Sequence, residues 1–310
     1  MSSMRKSFAA TILFFFLCAC ATFEEKPDTE KMAELESMKI KKVEPENKED
    51  PIVDHGRHVL INGDTYIGGF RKGKMEGEGE YLYRNGNRYK GIFKNDEMDG
   101  AGTFTYKDGT VYKGDFSEGK KHGFGEIIFR NGNWYKGTFY YDIIDGEGTY
   151  FYKNIGEYKG TFINGKREGK GVMKFNNGSV YEGDYLKDRR TGKGKLTLAD
   201  GTVYEGDFFN GAKQGKGTIV FSNGDEYTGD FKKDMFHGQG TYKFATDGRV
   251  YTGEAVLGKL NGPGVITWPN GDKYDGEIKD GAPHGVGTLY KTDGEEVTAE
   301  WAQGKIIFSR

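Results

Sequence analysis

A tyrosine and glycine pattern recurs along most of the chain every 23 residues, and this repeat limits what the chain can fold into. Each unit reads Tyr-x-Gly-x-Phe, continues through spaced glycines to Gly-x-Gly, and ends near an Asn-Gly or Asp-Gly pair. The units open at ten tyrosines: Tyr66, Tyr89, Tyr112, Tyr135, Tyr158, Tyr181, Tyr204, Tyr227, Tyr251 and Tyr274. Because a unit this short cannot bury an apolar face by itself, neighbouring units must stack on one another.

The glycine-containing pairs predict where the chain reverses. Pairs such as Asn131-Gly132 are typical of two-residue hairpin loops with a type I′ turn, which needs positive φ at both central positions. The second connection in each unit, Gly-x-x-x-Gly-x-Gly, also needs positive φ. Aspartate, which tolerates the left-handed region, replaces its first glycine in some units, so turn chemistry explains the exchange. These aspartates are Asp96, Asp142, Asp188 and Asp234.

The segments between the turns have the period of β-strands. Residues 103–106 alternate polar with aromatic side chains, and Tyr112, Gly114 and Phe116 then fall on every second position. The sequence therefore predicts an all-β fold, an elongated single-layer antiparallel sheet formed as a solenoid of consecutive β-hairpins from about ten 23-residue repeats. Residues 60–63 resemble the end of an earlier unit and residues 297–304 the start of a truncated one, so we expect caps at both places.

The alternation places the large rings on one face of this sheet. A single-layer sheet has no second layer to cover that face, unless curvature lets the rings cover one another. Contiguous exposed apolar surface usually marks an interaction site, so this aromatic face is the predicted interaction surface. Its candidate residues are Phe116, Phe129, Phe139, Tyr152, Phe162 and Phe175.

The N-terminal residues have the features of a bacterial secretory signal. Arg5 and Lys6 precede an apolar run over residues 8–17, which is too short to span a bilayer. The segment Leu-Cys-Ala-Cys at residues 17–20 resembles a lipobox, whose last cysteine is lipidated and becomes the mature N-terminus. An ordinary signal peptide with an incidental cysteine, or an uncleaved anchor, are the alternatives. The resemblance implies that acyl chains on Cys20 hold the protein on a membrane.

Composition separates a linker from the repeats. Residues 21–56 contain 11 acidic and 6 basic side chains and almost no aromatic ones, so they cannot bury enough surface to fold alone. A short docked helix over residues 30–42 is the alternative for part of this stretch. The predicted organisation is a lipoprotein signal peptide at residues 1–19, the lipidated cysteine with a charged flexible tether at residues 20–56, and the repeat solenoid at residues 57–310.

Several kinds of chemistry are disfavoured by residue types and spacing. A net charge of −2 argues against nucleic-acid binding, and both cysteines lie in the N-terminal signal. One position of the repeat is occupied by His122, His237 and His284 and, in other units, by four acidic residues. Neighbouring repeats lie about 10 Å apart, which is too far for side chains at this position to bind one metal ion. We therefore expect these side chains to bond loop backbone. The same spacing argues against calcium at the turn aspartates. With no nucleophile, dinucleotide or Walker motif, we expect no enzyme, catalytic residue, metal, cofactor or small-molecule substrate.

Units such as residues 112–125, Tyr-Lys-Gly-Asp-Phe followed by His-Gly-Phe-Gly, resemble the MORN (membrane occupation and recognition nexus) repeat family. The resemblance covers about residues 57–310 and departs from the family pattern mainly near the C-terminal end, as at Ala255 and Ile278. It implies a twisted antiparallel sheet and roles in scaffolding, dimerisation or contact with acidic lipids. MORN units also occur in plant phosphoinositide kinases, but nothing in this sequence resembles a kinase catalytic domain.

These observations lead to a functional expectation. We expect a non-enzymatic, lipid-anchored scaffold of the bacterial cell envelope, on the outer membrane in a Gram-negative host, that binds an envelope protein or itself. Binding of cell-wall glycans by the aromatic rows is the alternative, and binding of acidic lipids is a third. Residues 57–180 carry a charge of +4 and residues 181–310 one of −3. A solvated sheet face is the favoured explanation of this asymmetry, and orientation of a partner or of an antiparallel second copy is the alternative.

Overall fold

The computed structural model describes residues 52–309 of the chain. They form one open antiparallel sheet of 23 strands, in which each strand pairs with the strands before and after it in sequence. The predicted all-β fold of consecutive hairpins is confirmed. The expected signal peptide, Cys20 and almost all of the tether lie outside the described residues.

The strand bounds are β1 Val53–Val59, β2 Thr65–Arg71, β3 Lys74–Leu82, β4 Arg88–Lys94, β5 Glu97–Thr105, β6 Val111–Ser117, β7 Lys120–Ile128, β8 Trp134–Tyr140, β9 Ile143–Tyr152, β10 Gly156–Ile163, β11 Lys166–Phe175, β12 Val180–Leu186, β13 Arg189–Thr197, β14 Val203–Phe209, β15 Ala212–Val220, β16 Glu226–Lys232, β17 Met235–Lys243, β18 Val250–Val256, β19 Lys259–Thr267, β20 Lys273–Lys279, β21 Ala282–Tyr290, β22 Glu296–Ala302 and β23 Lys305–Ser309. In residues 52–309 no helix is long and apolar enough to cross a membrane. Each repeat supplies a strand that carries its tyrosine and a longer strand that carries Gly-x-Gly. Strand β1 and the pair β22–β23 occupy the expected caps.

The Asn-Gly connections differ from the type I′ turns that the sequence predicts. At residues 130–132 only Gly132 has positive φ, at +84°, and the closing hydrogen bond runs from Phe129 N to Asn133 O at 2.9 Å. Three residues therefore lie in the loop, as in a type I turn followed by a left-handed glycine. Asn131 Oδ1 also accepts a hydrogen bond from Asn133 N at 3.0 Å, an interaction that favours this conformation over type I′.

The type I′ geometry is found at the other connection. Glu118 and Gly119 have φ of 50° and 75° and are the two residues between paired Ser117 and Lys120. The turn aspartates occupy the left-handed region as predicted. Their φ angles are 76° at Asp96, 71° at Asp142, 70° at Asp188 and 69° at Asp234.

A β-bulge in each repeat bends the sheet. Between β6 and β7, Gly114 pairs with Gly125 and Phe116 pairs with Lys121, so residues 122–124 face Asp115 alone. The bulge includes positive φ at its central glycine and recurs in the other hairpins of the repeats. Bulges of this kind kink a strand and increase its twist, and here they supply the curvature that lets one face of a single layer cover itself.

Candidate functional site

A ladder of buried tyrosines lines the middle of the aromatic face. The side chain of Tyr112 lies over two glycines, so close that a Cβ added at Gly125 would be 2.4 Å from its Oη and one at Gly114 would be 2.6 Å from it. The hydroxyl donates a hydrogen bond to the carbonyl oxygen of Asp115 at 2.9 Å. All ten repeat tyrosines are buried and make the equivalent bond. The paired glycines of the repeat are therefore the space that the tyrosine fills.

The phenylalanine row packs against this ladder. Tyr112 meets Phe116 of its own repeat at 5.1 Å and Phe139 of the next at 5.1 Å, both edge to face. Edge-to-face contacts are favoured by the charge distribution of aromatic rings. From Tyr66 to Tyr204 each repeat tyrosine contacts rings of two repeats in this way, which gives the nearest-neighbour coupling expected of a repeat protein.

Cationic side chains close the outer side of the phenylalanine row in the central repeats. The Arg190 guanidinium lies 5.4 Å from the ring centre of Tyr181 and 5.3 Å from that of Phe208. Arg167 lies 5.1 Å from the ring of Tyr185 and pairs with a turn aspartate. These cations cover aromatic surface with their stems and stabilise it through cation–π contact.

The six residues of the predicted interaction surface divide into two groups. Phe116, Phe139 and Phe162 are 5%, 4% and 1% exposed, so they belong to the core and are not available to a partner. Phe129, Tyr152 and Phe175 are partly exposed. Phe116 is covered by the rings of Tyr89 and Tyr112, which meet it edge to face at 4.9 and 5.1 Å.

The partly exposed rings form a row that we call the aromatic ledge. Each member comes just before a hairpin loop, and most repeats supply one ring. Tyr152, for example, stacks on Tyr150 with 4.2 Å between the ring centres. Burial raises the pKa of the Tyr83 phenol to about 12. The ledge consists of Tyr83, Tyr106, Phe129, Tyr152, Phe175, Phe221, Phe244 and Trp268.

The opposite face of the sheet, made by the intervening residues, carries most of the charge. A row of acidic residues at the third position after the repeat tyrosine is partly neutralised by cross-strand lysines, because Lys170 pairs with Asp184 at 2.7 Å and Lys193 with Asp207 at 2.7 Å. Such exposed pairs contribute little to stability. They do show that this row is a ladder of both signs, and not a purely acidic strip.

In the histidine and carboxylate column, carboxylates bond loop backbone as expected, whereas His122 does not. Glu76 accepts a hydrogen bond from Asn95 N at 3.0 Å, and Glu168 accepts one from Lys187 N at 2.8 Å. His122 packs against Tyr141 instead, at 4.8 Å between ring centres. Over residues 52–309 there is no group of three or more His, Cys, Asp or Glu side chains placed to hold a metal ion.

Two features escaped the sequence analysis. Large apolar residues on the opposite face are exposed at the fifth position after the tyrosine in the central repeats. Their spacing of 23 residues in the sequence could have revealed this row. Near the C-terminal end, a hollow of about 700 Å³ includes Trp268, Trp301 and Arg249 in its wall. The departures from the repeat pattern at Ala255 and Ile278 are not part of its wall, so they gave no signal of it.

Comparison with known families agrees with this geometry. The MORN repeat model matches ten consecutive segments between residues 66 and 296. Since these segments make up well over half of the chain, the protein belongs to the MORN-repeat family. The family's repeat is a non-catalytic module, and the match indicates a role in protein interaction or membrane association.

Other comparisons add little. No curated protein is similar to the chain in sequence. Among solved structures, the TCP10 domain of Danio rerio CPAP in complex with a STIL peptide is 16% identical, with a TM-score of 0.42, over 74% of this chain and 97% of that one. The TCP domain of Drosophila melanogaster SAS-4 with a proline-rich motif of Ana2 is 13% identical, with a TM-score of 0.16, over 83% and 98%. These likenesses are too distant to carry a functional argument.

Proposed function

We propose that this protein is a non-enzymatic interaction scaffold that presents the aromatic ledge to a protein partner. The supporting observation is that a row of large rings stays partly exposed along the face whose tyrosine ladder is fully buried. Phe129 and Tyr152 of the ledge both stack on Tyr150, so these two rings have little conformational freedom to lose on binding. Rigid aromatic rows of this kind suit the apolar and aromatic side chains of another protein.

The proposal includes attachment to a bacterial membrane through a lipidated Cys20, with a flexible tether up to about residue 56. It rests on the lipobox-like residues 17–20 alone. The test is mass spectrometry of the mature N-terminus, together with the partition of a Cys20→Ala variant between detergent and water. An acylated Cys20, and loss of the variant from the detergent phase, are expected. An unmodified Cys20 or a mature chain that starts beyond it would contradict the proposal.

Partner binding through the ledge is tested with paired variants of the full chain. Phe129→Arg and Tyr152→Arg place a charge on the ledge, and Lys113→Glu on the opposite face is the matched control. Because such changes also alter packing, thermal unfolding of each variant is measured first. Envelope proteins captured by the wild type should be retained by the control and lost by both ledge variants, even with glycans present in excess. Equal capture by folded ledge variants would refute a binding role for the ledge.

Glycan binding is the second candidate, and the C-terminal hollow favours it. Trp268 and Trp301 supply aromatic surface there, while Asn270, Asp272 and Gln303 supply polar atoms. A pocket of a few hundred Å³ with apolar walls and few polar groups is typical of small-ligand sites. Titration of cell-wall fragments against the wild type and Trp268→Ala decides between the candidates. Binding that the substitution abolishes would support the glycan role, and no binding to the wild type would remove it.

A further inference from the structure

The hollow near the C-terminal end lies where an earlier repeat has two aromatic rings. By strand register, Pro283 and Leu289 occupy the positions that Phe236 and Tyr242 have two repeats earlier. The rings of Phe236 and Tyr242 lie 6.3 Å apart between their centres. Proline and leucine are smaller than these residues, and both line the hollow. The hollow therefore includes space that a phenylalanine and a tyrosine ring fill in the earlier repeat.

An aspartate stands two residues before the repeat tyrosine in three units, at Asp64, Asp225 and Asp272. In the first two units a tyrosine hydroxyl donates a hydrogen bond to this carboxylate. Tyr81 Oη lies 2.8 Å from Asp64 Oδ2, and Tyr242 Oη lies 2.7 Å from Asp225 Oδ2. Both tyrosines stand fifteen residues after the repeat tyrosine, so aspartate and tyrosine form the same pair in these two units.

The third unit has the aspartate but not the tyrosine. Asp272 Oδ2 accepts a hydrogen bond from Asn270 Nδ2 at 2.8 Å, and Asp272 Oδ1 accepts one from Thr292 N at 3.0 Å. The hydrogen bonds from Asn270 and Thr292 lower the pKa of the Asp272 carboxyl, so it is an ionised acceptor at neutral pH. Leu289 stands at the tyrosine's position and cannot donate a hydrogen bond. Asp272, which lines the hollow, therefore offers the acceptor position that a hydroxyl uses in the other two units.

Trp268 of the ledge also lines the hollow. It occupies the position of Phe221, six residues before the next repeat tyrosine. The ring of Phe221 packs on Phe236 at 6.1 Å and on Tyr242 at 6.3 Å. Trp268 has a proline and a leucine in place of those two rings. A ring placed in the hollow would therefore meet the indole as Tyr242 meets Phe221.

The second tryptophan of the wall is fixed by contacts within the protein. Trp301 is buried and meets Tyr274 edge to face at 5.3 Å. Its Nε1 donates a hydrogen bond to the carbonyl oxygen of Gly287 at 3.1 Å. A wall held in this way has little conformational freedom to lose when a ligand binds.

We propose that the hollow is a socket for a tyrosine side chain of a protein partner. The ring lies against Trp268, and the hydroxyl donates a hydrogen bond to Asp272. The earlier repeat identifies this occupant, because a tyrosine bonded to the equivalent carboxylate fills the same place there. Aromatic anchors in desolvated pockets carry much of the affinity of protein interfaces. Trp268 belongs to the ledge, so the inference names an anchor for the proposed protein partner and rests on that proposed function.

A phenol suits the vacated space better than the sugar ring of the glycan candidate. The side chains of Pro283 and Leu289 have no hydrogen-bonding groups, so sugar hydroxyls placed against them would lose water without gaining another partner. A phenol carries one polar group, and Asp272 supplies one charged acceptor for it.

Filling the socket from within tests the inference in the full chain in detergent solution. Leu289→Tyr places a hydroxyl where Asp272 can accept its hydrogen bond, so the melting temperature should equal or exceed that of the wild type. The probe is a short alanine-rich peptide with one tyrosine, and tryptophan fluorescence reports its binding. The wild type should bind the peptide, and Leu289→Tyr should not. Leu289→Met, which conserves side-chain volume, is the matched control and should bind normally.

A second peptide tests the hydrogen bond. The same peptide with phenylalanine in place of tyrosine should bind the wild type at least about fivefold more weakly, because a hydrogen bond to a charged acceptor is lost. Asp272→Ala should bind the two peptides equally. Asp225→Ala is its control, since Tyr242 already occupies that carboxylate, and it should keep the preference for tyrosine.

Several results would overturn the inference. They are undiminished peptide binding by folded Leu289→Tyr, equal affinity of the wild type for the two peptides, and no binding of the tyrosine peptide to the wild type. If cell-wall fragments bind the wild type and the tyrosine peptide does not, the hollow belongs to the glycan candidate. Failure of the ledge proposal would appear separately, as unchanged partner capture by Phe129→Arg and Tyr152→Arg, whatever the peptides show.

Discussion

The two faces of this sheet are built from alternate residues of the same strands, yet they are covered in different ways. On the aromatic face, Tyr112 fills the space above Gly114 and Gly125 and reaches the rings of two repeats. On the opposite face, Tyr140 and Phe209 are largely exposed, although they are as large and nearly as apolar. The difference is the pair of glycines, which gives one ring per repeat a place to lie flat on the backbone.

The two faces therefore differ in what they contribute to the stability of the fold. The aromatic face satisfies its own packing and its own tyrosine hydroxyls, so it holds consecutive repeats together. The opposite face has a backbone that is already paired and side chains that are not needed to hold the repeats together. Changes to the buried rings of the first face should therefore alter folding, whereas changes to the exposed side chains of the second should leave folding nearly unchanged.

The largest effect should come from alkaline pH. Burial raises the pKa of Tyr135, Tyr227 and Tyr251 to about 12, above the ~10 of tyrosine in an unfolded chain. Because the folded state favours the protonated phenol, this stability is fully present below about pH 10 and is lost as pH rises toward about 12. Circular dichroism and tyrosinate absorbance should change together in this window. A sheet that persists with its buried tyrosines ionised would contradict the ladder's role.

A smaller effect should follow from one methyl group on the aromatic face. Gly125→Ala would place a Cβ 2.4 Å from Tyr112 Oη, so the ring must move, at a cost of about 3 kcal/mol. Gly119→Ala is the matched control, because no atom lies within 4 Å of its Cβ and only its φ of +75° is unfavourable, which costs about 1 kcal/mol. Urea unfolding compares the two. Equal losses would mean that conformational freedom, and not the tyrosine's space, explains the glycine pair.

The turn aspartates should give a smaller effect still, at an edge that belongs to neither face. Asp96 N donates a hydrogen bond to Met75 O at 3.1 Å, and Asp96 Oδ1 accepts one from Met75 N at 2.8 Å, so the turn is tied to the preceding repeat. Asp96→Ala loses the side-chain bond and strains the left-handed φ, at a cost of about 2 kcal/mol. Asp96→Asn keeps both and should stay within about 0.5 kcal/mol. Thermal unfolding that ranks the two variants the other way would contradict this account.

Much of the fold could be predicted from the sequence because the same pattern of turns and strands occurs in ten repeats. The hairpins, the caps and the left-handed aspartates all follow from spacing and from the tolerance of single residues for positive φ. The type I′ turn was predicted at the Asn-Gly connection but is found at the other one. An Asn-Gly pair alone does not reveal how many residues lie in the loop between the two paired strand ends. The number of loop residues depends on the register of the two strands. Paired glycines such as Gly114 and Gly125 fix that register, because one tyrosine side chain covers both of them.

Less of the candidate site could be predicted. Strand period placed Phe116 and Phe129 on one face, but it carries no information on which ring is buried. Phe116 is covered by two tyrosine rings, whereas Phe129 stays partly exposed. The apolar row with Tyr140 and Phe209 was overlooked for a related reason, since alternation assigns those positions to a polar face and only measured exposure shows that they are uncovered.

The different coverage of the two faces is tested most directly by oxidative footprinting of the full chain, folded and in urea. In the folded chain, Tyr140 and Phe209 should be modified at rates close to those in urea, whereas the buried Tyr112 and Tyr135 should be protected. Tyr152 and Phe175 on the ledge should react at intermediate rates. Protection of Tyr140 and Phe209 as strong as that of Tyr112 would contradict the account.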